Sequence, residues 1–305
     1  MNNIKIFEEK QATYSFSKRS EFYALEPIGI GTDRVEGLVS YLRRLANAHN
    51  VTLHALVSYI IKLHPNQLIH PTPMYYPILR NGMSKTMGLV VESLEELGLI
   101  SNPKNMTMLP WENVMSYSKL FTSEKKWCPI CLEEWKNNGI KCYEPLVWGI
   151  NLLNICSQHN VKLHQFCSNV ECRASQSSRH EKLPIEYCQI CNQWLGINKN
   201  LELKFVNKDI EEWNVWVADN LGEMVIKISN LKIPKNNQVY GIIDKWIQDF
   251  FQGDRRRFCY QINIDNNRLQ QIERGKYRLS LNSLLLLSYR TKLKLNDLFY
   301  YGIES

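Results

Sequence analysis

Four Cys/His pairs in strict order constrain this chain more than any other feature. Cys128-Pro-Ile-Cys131 is followed by Cys156-Ser-Gln-His159, then by Cys167 and Cys172, then by Cys188-Gln-Ile-Cys191. A C-x2-C or C-x2-H knuckle brings two donors to one tetrahedral ion, and two such pairs close a four-ligand site. The spacing therefore predicts two structural Zn2+ ions, one held by three cysteines and a histidine, the other by four cysteines. We expect sequential pairing, with Cys128, Cys131, Cys156 and His159 at the first ion and Cys167, Cys172, Cys188 and Cys191 at the second. A cross-braced arrangement would interleave the same pairs. Redox C-x-x-C pairs, a disulfide framework or unligated core thiols leave the coincidence of four pairs unexplained. Cys142 and His164 lack a partner at knuckle spacing and read as a packed thiol and a surface imidazole; Cys259 is left over.

The surroundings suit structural metal. The chain has 305 residues, 44% hydrophobic and 22% charged, with nine cysteines, a composition that folds without disulfide help. The opening MNNIKIFEEKQATYSF lacks the apolar core of a signal peptide, and the most apolar run, Leu284 to Leu287, is far short of the ~20 residues that cross a bilayer. We therefore expect a cytoplasmic protein with no membrane contact, in a reducing compartment where clustered cysteines hold metal. The cysteine cluster divides the chain into residues 1–125, 126–197 and 198–305. We also expect no enzyme. A catalytic zinc keeps one position open, whereas both predicted sites are filled. No G-x-x-x-x-G-K-[ST] loop is present. The deaminase signature fails because Trp127 rather than proline precedes Cys128.

Before the cysteines, Thr32 or Asp33 with Glu36 offers a capping-box start. Val35, Leu38, Val39, Leu42, Leu45 and Ala46 then recur on one helical face, with Arg34, Arg43 and Arg44 elsewhere. A second helix capped by Thr52 runs until His64-Pro65 stops it. Two short helices on a tight turn suggest a helix-turn-helix, or an ordinary αα-hairpin. His49 and His54 are five apart, a poor fit to one metal, and read as surface residues.

At this point a resemblance enters. LEPIGIGTDRVEGLVSYLRRLANAH resembles the opening of the TniQ/TnsD family of transposition proteins. WCPICLEEW and YEPLVWGINLLNICSQHNVKLHQFC are similar to that family's zinc region. The resemblance covers residues 22 to 195, with Gly37 in place of the family's commoner serine. It implies a bacterial, nucleoid-associated target selector that recognises a site in double-stranded DNA or docks on a CRISPR effector complex with its guide RNA, and that recruits an AAA+ ATPase regulator of the transposase. It carries over the eight ligands named above.

After the cysteines, Trp213, Trp216 and Val217 lie on one helical face, and Ile242, Ile243, Trp246, Ile247 and Phe250 on another; such stripes are core. Further on, Asp265 caps a helix that Gly275 ends, and Ser280 caps the next. RLQQIERGKYRLSLNSLLLLSY resembles the recognition-helix half of repressor-type helix-turn-helix domains. That resemblance makes Asn266, Asn267, Gln270 and Gln271 candidate base readers, because amides bond adenine bidentately. Arg255, Arg256, Arg257, Arg268, Arg274, Lys276 and Arg278 become candidate phosphate contacts. From Asp254 to Lys294 there are ten Lys or Arg and three Asp or Glu, while the formal charge of the whole chain is +7. Such a stripe is the footprint of DNA binding or a solvated basic face. The expected fold is mainly α, with a helix-turn-helix-like start, a tandem zinc-finger module and a carboxy-terminal helical domain holding a second helix-turn-helix. A zinc-containing sequence-specific transcription regulator is the alternative function.

Overall fold

The computed structural model describes residues 22, 23, 25–62, 81–177, 184–229 and 236–301. The fold is mainly helical, as expected. The first helix, α1 (Leu38–Ala48), starts later than its sequence suggests. Gly37 is its cap residue, and the side chain that caps it comes from far along the chain: Asn81 Oδ1 accepts from Val39 N at 2.7 Å. A Cβ on residue 37 would strike the Asn81 amide, so glycine is needed for this close approach. Thr32 instead closes the preceding turn, donating to Gly29 O at 2.7 Å. Glu36 turns inward and is fully buried. Its carboxylate accepts from Ser40 Oγ at 2.9 Å and from Arg44 Nη2 at 2.6 Å.

Helix α2 (Leu53–Lys62) begins as expected, with Ala55 N donating to Thr52 Oγ1 at 3.1 Å; the Pro65 stop lies outside the described residues. A third helix, α3 (Lys85–Glu96), is capped by Ser84 and packs on α2. Leu38, Leu42 and Leu45 of α1, Ile60 of α2, and Met87, Val90 and Leu94 of α3 are essentially inaccessible to solvent, the apolar faces that the spacing implies.

A two-residue strand, β1 (Met115–Ser116), precedes the cysteine region. There the described residues make short bridges, turns, a 3-10 turn at Leu146–Gly149 and one α-helix, α4 (Pro129–Asn137), with Cys128 as its cap residue and Pro129 at its first position. Lys126 is buried, and its ammonium donates to the carbonyls of Ile150, Asn151 and Leu153 at 3.2, 2.7 and 2.6 Å. Burial pushes its pKa down to about 8; the three acceptors compensate the desolvation and fix that loop.

Helices α5 (Glu212–Ile226), α6 (Asn236–Phe251), α7 (Arg255–Gln261), α8 (Asn266–Glu273), α9 (Leu281–Thr291) and α10 (Leu295–Tyr301) complete the chain. Asp254, Asp265 and Ser280 cap α7, α8 and α9 by accepting from the main-chain N–H three residues on. Gly275 ends α8 in the left-handed region, φ 74°. Ile242, Ile243, Trp246 and Ile247 are core. Trp213 and Trp216 lie edge-on to Tyr289 at 5.6 and 5.7 Å. A second short strand, β2 (Leu279–Ser280), pairs in parallel with β1, Met115 opposite Leu279. No helix among the described residues is long and apolar enough to cross a membrane.

Candidate metal centres and nucleic-acid interface

Each predicted quartet comes together, in the sequential grouping. The donor atoms of Cys128, Cys131, Cys156 and His159 lie within 4.8 Å of one another, and so do those of Cys167, Cys172, Cys188 and Cys191. In the first cluster His159 Nδ1 is 3.4, 3.4 and 3.5 Å from the sulfurs of Cys128, Cys131 and Cys156, and the last two sulfurs are 3.7 Å apart. In the second, Cys167 and Cys191 sulfurs are 3.6 Å apart, and those of Cys172 and Cys188 are 3.8 Å apart. A tetrahedral ion with bonds of about 2.3 Å to sulfur and 2.0–2.1 Å to nitrogen requires ligand-to-ligand edges of about 3.5–3.8 Å. These edges match it and are far longer than a disulfide of about 2.05 Å. Both clusters can hold a metal ion.

The first cluster is assembled by α4 and the 156–159 turn. Cys128 opens α4 and Cys131 sits in its first turn, while Cys156 N donates to Val161 O at 2.8 Å and Asn160 N to Cys156 O at 2.9 Å, closing the second knuckle. Glu134, one turn on from Cys131, receives His159 Nε2–H at 2.9 Å. That bond leaves Nδ1 as the metal-facing nitrogen and fixes the ring plane. Sequence spacing did not reveal Glu134, although a carboxylate three residues after a knuckle cysteine on a helix is a usable signal.

The two clusters are fastened together. Trp127 exchanges main-chain bonds with His164, at 3.0 and 2.8 Å. Its indole donates to Leu195 O at 3.0 Å, and Trp194 Nε1 donates to Glu133 of α4 at 2.9 Å. His164 is thus half-buried beside Trp127 rather than a surface imidazole, and burial lowers its pKa. Cys142 is a half-buried thiol whose pKa burial pushes up to about 12. Cys259 is buried and donates to Asn266 Oδ1 at 3.4 Å.

The polar residues singled out near the carboxy-terminal end fall on α7, α8 and the turn after α8. Asn266, Asn267 and Gln270 are exposed on α8 and Gln271 is half-buried. The seven cations divide. Arg255 is ion-paired with Glu273 and with Asp244. The Arg268 guanidinium lies 3.9 Å from the centre of the Tyr277 ring, and Arg278 Nε donates to Asn113 O at 3.2 Å. Arg256, Arg257, Arg274 and Lys276 are exposed.

Residues 27–163 match the model of the family described as TniQ. No curated protein matches the chain. The matched segment holds α1 to α4 and all four donors of the first cluster, and it ends before Cys167. Over residues 27–163, the chain is similar to the TniQ family.

Proposed function

We propose that this protein is a non-enzymatic target-selection adaptor of DNA transposition. The TniQ domain supports a transposition-associated role in target selection; the finer reading is that the chain contacts double-stranded DNA, or a CRISPR effector complex with its guide RNA, and recruits an AAA+ ATPase that brings the transposase. The observation that carries it is the coincidence of the family segment with the complete first Cys/His cluster. Each cluster takes one Zn2+ ion, through Cys128, Cys131, Cys156 and His159 and through Cys167, Cys172, Cys188 and Cys191. Four protein donors per ion leave no position for an attacking water, so the metal serves as scaffold.

The DNA-facing surface is the α7–α8 pair, where Arg256, Arg257, Arg274 and Lys276 contact phosphates and Asn267, Gln270 and Gln271 read bases. The test is a reconstituted transposition assay with the cognate ATPase and transposase, with and without this chain, alongside metal analysis of the purified protein. We expect site-directed insertion to require the chain and about two zinc ions to be bound per molecule. Undiminished directed insertion without it would sink the adaptor reading. Specific promoter binding with no effect on insertion would favour a transcription regulator.

A further inference from the structure

We propose that Gln176 is a positioning residue of the second metal cluster, holding the Cys188 thiolate and its knuckle by an N–H···S hydrogen bond. The proposal rests on the reading of that cluster as a Zn2+ site. Gln176 is 1% exposed, and the need of each polar atom of a buried amide for a partner has to be met. Here it is: Nε2 donates to Cys188 Sγ at 3.2 Å and to Ala174 O at 3.0 Å, while Oε1 accepts from Gln189 N at 2.9 Å.

The last of these bonds sets the direction of the amide. A main-chain N–H can only donate, so the oxygen of Gln176 must face Gln189 and its NH2 must face the sulfur. The main chain holds the residue from both sides as well. Gln176 O accepts from Lys125 N at 2.7 Å and Gln176 N donates to Gln165 O at 3.3 Å, so the backbone that carries the amide is fixed beside both clusters. The main-chain N–H groups of Cys191 and Ile190 are directed at the same sulfur.

The chemistry of the two donor sets explains why an amide stands here. A divalent ion held by four thiolates retains an excess of two negative charges; with three thiolates and an imidazole it retains one. The more negative cluster has a buried hydrogen-bond donor against its sulfur, and the less negative one has the Glu134 carboxylate against its imidazole. A donor to thiolate draws density from sulfur, makes it a weaker nucleophile, and anchors the Cys188–Cys191 knuckle through Gln189.

The test uses the full chain loaded with Co2+ in place of Zn2+. Gln176→Met keeps the bulk and removes the donor. We expect its sulfur-to-cobalt charge-transfer bands to move to lower energy, and metal to leave the second cluster to a chelator about ten-fold faster, with loss from the first cluster unchanged. Should Gln176→Met not fold, Gln176→Asn, which withdraws the amide by one methylene, carries the same comparison. A folded variant with bands and release rate like the parent overturns the role of Gln176 alone. A parent chain that shows no thiolate–cobalt band from this cluster overturns the metal reading, and this proposal with it.

Discussion

The helix pair α1–α2 and the pair α7–α8 are built alike: two short helices on a tight turn, with arginines off the apolar face. Their arginines have opposite fates. Arg43 reaches Glu144 at 2.6 Å and Arg44 reaches Glu36 at 2.6 Å. Arg34, just ahead of α1, bonds Gln158 and lies 5.2 Å from the Trp135 ring. Three partners of these cations, Glu144, Trp135 and Gln158, belong to the region of the first cluster, so the amino-terminal cations serve as struts between the opening helices and the metal segment. At the other end, Arg256, Arg257, Arg274 and Lys276 point to solvent and have no ion pair among the described residues. Local charge density does not distinguish these cases; whether an acidic or aromatic partner lies across the packing does.

The sharpest way to break this comparison is at Glu36. Glu36→Ala leaves Arg44 in a largely buried place without its carboxylate, and we expect a loss of about 3–5 kcal/mol in denaturant unfolding. A loss below 1 kcal/mol would mean that the amino-terminal charges are as dispensable as surface ones.

Acid provides a related test. Burial alone would raise the Glu144 pKa, but Lys125 at 2.8 Å and Arg43 outweigh it and hold the carboxyl down at about 2. A depressed carboxylate contributes stability that is complete above the unfolded pKa, about 4.3, and disappears as pH falls toward 2. Unfolding midpoints should therefore drop between pH 4.5 and 2, and Glu144→Gln should flatten that dependence.

Next in size, replacing Arg256, Arg257, Arg274 and Lys276 together by Ala should weaken duplex binding about 100-fold, or about 2.7 kcal/mol. It should lower the slope of log affinity against log salt by about 3 to 4 while leaving the melting temperature in place. Smallest is Arg255→Ala, which removes a half-exposed pair. We expect about 0.5 kcal/mol of stability lost and binding within two-fold of the parent. A large binding defect there would return Arg255 to the DNA-contacting set.

What the sequence disclosed follows how far apart the cooperating residues lie. Knuckles are local, so eight donors and their four pairs could be read from spacing, as could the caps Thr52, Asp265 and Ser280, each of which acts three residues on; which pairs share a cluster is a longer-range matter, and spacing left the cross-braced alternative open. The start of α1 could not, because its cap is Asn81, 42 positions from the N–H it serves. Helix α7 escaped notice because Asp254 is followed by three arginines and leaves only Phe258 and Cys259 as buried periodic positions. Glu134 and Gln176 are supporting groups whose roles appear only once the donors are gathered. The matched family segment ends at residue 163, short of the resemblance over residues 22 to 195, so the second cluster rests on its knuckle spacing and that resemblance, and the helices after it on periodicity, caps and the resemblance to repressor-type domains.

The pairing of β1 with β2 has a temporal consequence. Asn113 and Arg278, which bond beside it, are 165 positions apart. At about 5–20 residues per second of synthesis, roughly ten to thirty seconds separate their emergence from the ribosome. During that interval Met115, 1% exposed in the finished protein, waits with an open strand edge, a template for unwanted pairing with other chains. Both metal clusters have all their donors by then, so ion capture can precede closure of the core. A chain interrupted before Leu279 would have gained its knuckles but neither its closing strand nor the end of its basic face.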